Sequence, residues 1–181
     1  SEKSIYSVMK KIKRERKELN VLVNNIGDAI KRSSFIKSND KLWIDNLNIN
    51  LISSVRTTRI FLKMFKSVKN ASIVNIGSIA GKMGGSGDSL HYASSKAALH
   101  IFTKGLSKEL KGIRVNCVAP SIINTNFQKR LSSKKRLKKI ISSTPLKRIG
   151  APEEVSNTVT FLSSDKASYI NGEVIFVSGG R

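Results

Sequence analysis

At 181 residues, 39% of them hydrophobic, the chain carries enough apolar material for one packed core, which excludes a disordered or low-complexity segment. Its 33 Lys and Arg against 12 Asp and Glu leave a formal charge of +21, yet no zinc-finger spacing and no aromatics interleaved with the basic runs support specific nucleic-acid recognition. One cysteine, Cys117, excludes an intrachain disulfide framework, and no apolar run approaches the roughly 20 residues that span a bilayer.

The chain opens on a helix-like stretch. Ile5, Val8, Met9 and Ile12 recur at helical spacing, and a charged run to Glu18, with seven basic residues between Lys3 and Lys17, completes a surface helix with no signal-peptide core. The expectation is a soluble, cytoplasmic protein. A short apolar strand, Val21-Leu22-Val23, stops at Asn24-Asn25-Ile26-Gly27. Ser38, Asn39 or Asp40 can cap a long helix through about Lys66, with Leu42, Leu47, Leu51, Val55 and Ile60 among its apolar positions. A strand from Ser72 to Ile76 follows, and past a Gly-rich loop Ser89 can cap a helix from about Leu90 to Leu110. Ile113 to Ala119 reads as the next strand, ended by Pro120. Cys117 lies in it as an unreactive core residue.

Seven more basic residues fall between Lys129 and Lys139, in a segment to Ser143 that predicts one or two short helices. Pro152 opens a helix to about Leu162, and Glu173 to Val177 is the last strand, closed by Gly179-Gly180. Strands alternating with helices, and too uniformly apolar for one wet face, predict a parallel sheet covered on both faces. Its binding crevice lies at the strand carboxyl ends, where Asn24, Ser78, Pro120 and Gly179 fall.

Tyr92 and Lys96 are four apart near a helix start, so they share one face about 6 Å apart along the axis. A fixed ammonium favours phenolate and lowers a tyrosine pKa from roughly 10, which suits proton transfer to a carbonyl or from an alcohol. An isolated Tyr-xxx-Lys pair is more often a half-buried phenol beside a solvated lysine. Its surroundings reverse that reading. Ser72-Ile73-Val74-Asn75-Ile76-Gly77-Ser78 followed by His91-Tyr92-Ala93-Ser94-Ser95-Lys96 resembles the active site of the short-chain dehydrogenase/reductase family. Asn24-Asn25-Ile26-Gly27, Asn50-Leu51 after Trp43, Ile113 to Pro120, Pro145 to Gly150 with Pro152-Glu153-Glu154-Val155, Phe161 to Ser164, and Gly179-Gly180 resemble further family motifs in unbroken order.

The resemblance implies a three-layer Rossmann-like parallel sheet with helices on both faces, residues 1–181 forming a single, incomplete domain. It also implies an NAD(P)(H)-dependent oxidoreductase, with a 3-oxoacyl thioester as first candidate substrate and sugars, steroids or polyols as others. NAD and NADP are not distinguished. Tyr92 is then the acid/base, Ser78 holds the substrate oxygen, Lys96 tunes Tyr92 and bonds the nicotinamide ribose, and Asn50 positions a relay water. Asn24, Ile26 and Gly27 fall near the adenosine side of the cofactor, and Pro120, Ile123 and Thr125 around its carboxamide. Ile26 stands where the family more often has Ala, and Ser121 where it commonly has Gly, a strained choice if that position needs a positive φ. The segment Asn126 to Ser143 matches the variable substrate lid.

No metal is implied, and the implied partners are a small carbonyl, alcohol or acyl-thioester substrate and further copies in a dimer or tetramer. The positive surface suits steering of coenzyme A or acyl-carrier-protein thioesters. Neither a membrane nor a specific nucleic acid is expected. Ser78 as a hydrolase nucleophile is disfavoured, because no Gly-x-Ser-x-Gly elbow surrounds it and the histidines are only His91 and His100.

The family's Thr-Gly-xxx-Gly-x-Gly turn and its N-terminal βαβ portion, two units of roughly sixty residues, do not precede Ser1. The expectations are cofactor affinity weaker by roughly 10³-fold or more and a bared Val21–Val23 edge prone to association. The alternative is a non-catalytic remnant that associates with intact subunits.

Overall fold

The computed structural model describes residues 2–16, 18–65 and 71–181, with the Lys129 side chain outside the description. Helix α1 (Glu2–Glu15) leads into strand β1 (Val21–Asn24). One long helical passage follows, α2 (Asp40–Leu47), a π-helical turn (Asn48–Ile52) and α3 (Ser53–Met64), then β2 (Ala71–Ile76). The expected helix end at Lys66 and the basic position Lys17 lie outside the described residues. Short α4 (Ala80–Met83) and long α5 (Leu90–Glu109) lead to β3 (Ile113–Pro120). Helices α6 (Asn126–Leu131), α7 (Lys134–Ser143) and α8 (Pro152–Ser163) precede β4 (Val174–Val177).

The four strands are parallel and neighbour one another in chain order, β1-β2-β3-β4. Each connection therefore crosses over through helices, and all four carboxyl ends meet at one edge of the sheet. Strand β2 is central, with residues 71–75 buried on both faces. On one face Met9, Leu22, Ile60, Phe61, Ile73 and Val115 join α1, α3 and the end of α5. On the other, Val74, Val118 and Leu162 pack α8 down. This is the doubly covered α/β sheet that the sequence predicts. Strand β1 is the exception: Leu22 and Asn24 are buried while Val21 and Val23 are exposed, and among the described residues it forms a sheet edge.

Local details differ from the sequence reading for identifiable reasons. Asn39 is the cap of α2, accepting from the Leu42 N–H at 3.0 Å. Ser89 occupies the N-cap of α5 without capping it, because its hydroxyl is engaged by the Ser86 N–H at 3.2 Å. Val8 is exposed at the margin of the Ile5–Met9–Ile12 stripe. Ser121 is not strained: the non-glycine residues with positive φ among those described are Ile30 and Lys147.

Buried amides tie the sheet to its helices. The Asn24 amide donates to Asn75 Oδ1 at 2.8 Å and to Thr58 Oγ1 at 3.0 Å, and the Asn75 amide donates to Thr103 Oγ1 at 2.9 Å. One chain of bonds thus links β1, β2, α3 and α5 just below the carboxyl edge. Asn116 does the same for β3, donating to Ile170 O at 2.8 Å and accepting from the Glu173 N–H at 3.0 Å. Replacing Asn75 with Ala removes one acceptor from the Asn24 amide and one donor from Thr103 in a dry interior, leaving each with its other partner, Thr58 and Leu99 O, at an expected cost of about 1–3 kcal/mol. Urea unfolding should show it, with Asn124→Ala at an exposed position nearly neutral.

Candidate active site

The carboxyl edge opens into one cleft of about 820 Å³. Its walls are the loop after β1, the loop after β2, the first turns of α5, the end of β3 and helices α6 and α7. Ser78, Tyr92, Lys96, Ile26, Gly27, Pro120, Ile123 and Thr125 all line it. Asn24 and Asn50 do not: both are buried behind the wall, Asn24 in the amide chain beneath the edge. Asn25, the next residue, lines the cleft instead.

Lys96 is the best-placed group in the cleft. It is 3% exposed, its ammonium donates to the Ile76 carbonyl at 2.8 Å, and it lies 5.9 Å from the Tyr92 ring centroid. A Cβ on Gly27 would stand 2.7 Å from Lys96 Nζ and 2.9 Å from Asn50 Oδ1, so glycine is what lets the β1 loop close over both groups. Asn50 clamps that loop from behind. Its Oδ1 accepts from the Asp28 N–H at 3.0 Å, while its amide donates to Asp28 O at 2.8 Å and Asn46 O at 3.0 Å. The π turn brings Asn50 there, a local widening of the kind that gathers at functional sites.

Tyr92 and Ser78 line the cleft together, and Ser78 Oγ, which accepts from the Ala80 N–H at 3.2 Å, interacts with the phenol. Burial pushes the Tyr92 phenol above its ordinary value, the interaction with Ser78 opposes this, and the Asp28 carboxylate adds to it. Lowering of the phenol by Lys96 is therefore not what this structure shows. The ammonium is turned to Ile76 O, and burial holds Lys96 itself down at about 8. Cys117, fully buried, is pushed up to about 12 and is inert, as its segment predicts. His91, also buried, has its Nε2 3.0 Å from Lys31 O. No cluster of His, Cys, Asp and Glu suited to a metal ion occurs among the described residues.

The residues present fit a nicotinamide cofactor. The cleft has the volume for a nucleotide-sized ligand, a glycine at its closest approach, and a buried ammonium with donors beyond the one that Ile76 O takes. Sequence reasoning missed Arg32, Arg136 and Arg181, which also line the cleft, and Phe127, whose ring centroid lies 6.2 Å from that of Tyr92. Nothing local in the chain marks them.

Because the Lys96 pKa falls from 10.5 unfolded to about 8 folded, the unfolded chain binds more protons between those values. Stability should rise as pH climbs from about 8 towards 10, above which Tyr92 acts in the opposite sense. The full relief is about 3 kcal/mol at 1.36 kcal/mol per unit. Thermal melts across that range should show the rise in the wild type and not in Lys96→Met.

Comparison with known proteins agrees with this geometry. The family model described as enoyl-(acyl carrier protein) reductase matches residues 1–181. The 3-oxoacyl-(acyl-carrier-protein) reductase FabG of Escherichia coli K12 is 39% identical over 179 residues, 98% of this chain and 72% of that protein. Its counterpart in Thermotoga maritima is 37% identical over 178 residues, 97% of this chain and 71% of its own length. Among solved structures, a short-chain dehydrogenase/reductase of the glucose/ribitol dehydrogenase type from Brucella melitensis superimposes with a TM-score of 0.92 at 31% identity, covering 99% of this chain and 72% of that one. The ligand-free aldohexose dehydrogenase of Thermoplasma acidophilum gives a TM-score of 0.89 at 28% identity, covering 99% and 74%. With its catalytic-type residues gathered at the carboxyl edge of a matching sheet, the chain belongs to the short-chain dehydrogenase/reductase family, whose members are NAD(P)-type oxidoreductases.

Proposed function

We propose that this chain reduces the ketone of a 3-oxoacyl thioester to the 3-hydroxyacyl thioester, with Tyr92 as proton donor. The observation that carries the reading is that Tyr92, Ser78 and Lys96 line one cleft at the carboxyl edge of the sheet. A nicotinamide bound there supplies the hydride that reaches the carbonyl carbon. Ser78 Oγ–H and Tyr92 Oη–H are the two donors for the carbonyl oxygen, and both strengthen as that oxygen gains charge. The Tyr92 proton completes the alcohol. A phenol held above its ordinary value is protonated at neutral pH, the form that reduction needs.

Lys96 would anchor the cofactor ribose through the donors that Ile76 O leaves free, and the phenolate left on Tyr92 regains its proton from solvent water. Asn50 acts through the loop that it clamps, keeping Gly27 against the ammonium. The named relatives support the thioester: FabG of Escherichia coli is a 3-oxoacyl-(acyl-carrier-protein) reductase. The net charge of +21 supports steering of an acidic carrier. Assembly into a dimer or tetramer belongs to the same proposal.

NAD(P)H oxidation with an acetoacetyl thioester tests it. Tyr92→Phe should lower kcat roughly 10²–10⁴-fold with the fold intact by circular dichroism, and wild-type rates from that variant would remove Tyr92 from the chemistry. The kcat/KM profile should fall as pH rises through about 8, where Lys96 loses its charge, while Tyr92 stays protonated. A flat profile to pH 10 would show that the charge on Lys96 is not needed.

A further inference from the structure

The cleft has a second set of polar groups that proton transfer does not use. Arg32, from the loop after β1, and Arg136, from α7, both line it. Arg32 is fixed there by its Nε donating to Leu131 O at 2.7 Å and its NH1 reaching Asp88 at 2.7 Å and Ser86 Oγ at 3.2 Å. Arg136 NH2 donates to the same Ser86 Oγ at 2.7 Å. Two guanidinium groups thus converge on one hydroxyl, which itself donates to Asp88 Oδ1 at 3.1 Å, so a single carboxylate stands beside two cations. Asp88 is ion-paired with Arg32, and Arg136 has no ion-pair partner among the described residues. The Nε of Arg136 is buried without a hydrogen-bond partner. Arg181, donating to Ser121 Oγ at 3.1 Å, and Lys139 line the same cleft and add positive charge.

Like charges held this close in a partly dry site are unfavourable unless an anion joins them. Guanidinium forks match the paired oxygens of carboxylate and phosphate. We infer that Arg136 and Arg32 form an oxyanion subsite for a carboxylate or phosphate on the tail of the carbonyl substrate. This rests on the reductase reading for the identity of the ligand, though not for the subsite itself. It makes α7 a selector of charged substrates, in keeping with an acyl chain carried on phosphopantetheine or with a free keto acid.

The test measures KM for acetoacetyl-pantetheine with and without its phosphate, and for keto acids of increasing length against their methyl esters. The anionic member of at least one series should bind about tenfold better, the equivalent of one charge-assisted bond, and Arg136→Gln should erase that preference. Lys135→Gln removes an equal charge from an exposed position on the same helix and should keep it. A preference in the pantetheine series identifies the phosphate as the source, and one in the keto-acid series the carboxylate. Equal KM values in both series, a rise confined to the KM of NAD(P)H, or an equal loss in Lys135→Gln would overturn the subsite. Calorimetric titration with inorganic phosphate separates the two readings. If no carbonyl is reduced but Arg136→Gln weakens phosphate binding about tenfold, the reductase reading fails and the subsite stands. If phosphate binding is unchanged by Arg136→Gln, the subsite falls whatever the redox result.

Discussion

The ammonium of Lys96, 3% exposed and bonded to the Ile76 carbonyl, joins three parts of the chain that are far apart in sequence. It comes from α5, rests on the end of β2, and sits against the loop after β1 where Gly27 leaves room for it. A buried cation is costly, and burial accordingly holds Lys96 down at about 8. The fold tolerates it because the surrounding groups are prearranged: Asn50 clamps the β1 loop and the Asn24–Asn75–Thr103 chain holds β1, β2 and α5 in register. Electrostatic strain at Lys96 thus stands beside conformational strain at Ile30, a β-branched residue with φ of 62° in the loop after β1.

That arrangement divides the cleft into two kinds of polar surface. Around Tyr92 and Ser78 the groups are neutral hydroxyl donors, which in the proposed reaction face an oxygen that gains charge only as it reacts. Around Arg136 and Arg32 the charge is permanent and under-compensated, suited to an oxygen charged from the start. A guanidinium bonded directly to Tyr92 would favour the phenolate and remove the proton that the proposed reduction needs. Asp28 works in the opposite direction. Its carboxylate raises the Tyr92 pKa while pairing with Arg130 on α6 at 2.5 Å.

Most of the +21 charge is nevertheless spread over solvated helix faces, as on α1 and α7. Few of these residues meet an acid, and the ion pairs among the described residues that are exposed, such as Lys41–Asp45, contribute little to stability. Arg148 is an instructive contrast. It binds Glu154 through two bonds of 2.7 Å while Glu154 also accepts from the Ala151 N–H at 2.7 Å, fastening the entry to α8. No described helix is long and apolar enough to cross a membrane.

The sequence by itself determined the alternation of strands and helices, the central apolar strand at 72–76, and Tyr92, Lys96 and Ser78 as one constellation. Periodicity and short motifs are local properties, and here each local signal agrees with its neighbours. It reached the cleft-lining residues Ile26, Gly27, Pro120, Ile123 and Thr125 through the ends of strands, which a parallel sheet must gather at one edge. Only the tertiary structure decided that Asn24 is a strut while Asn25 faces the cleft, that Asn50 clamps a loop, and that burial rather than Lys96 governs the Tyr92 phenol. It alone brought Arg32 to Arg136 on α7. These depend on packing between segments tens of residues apart, where desolvation and the closing of one loop on another set the energies, and no periodicity along the chain encodes them.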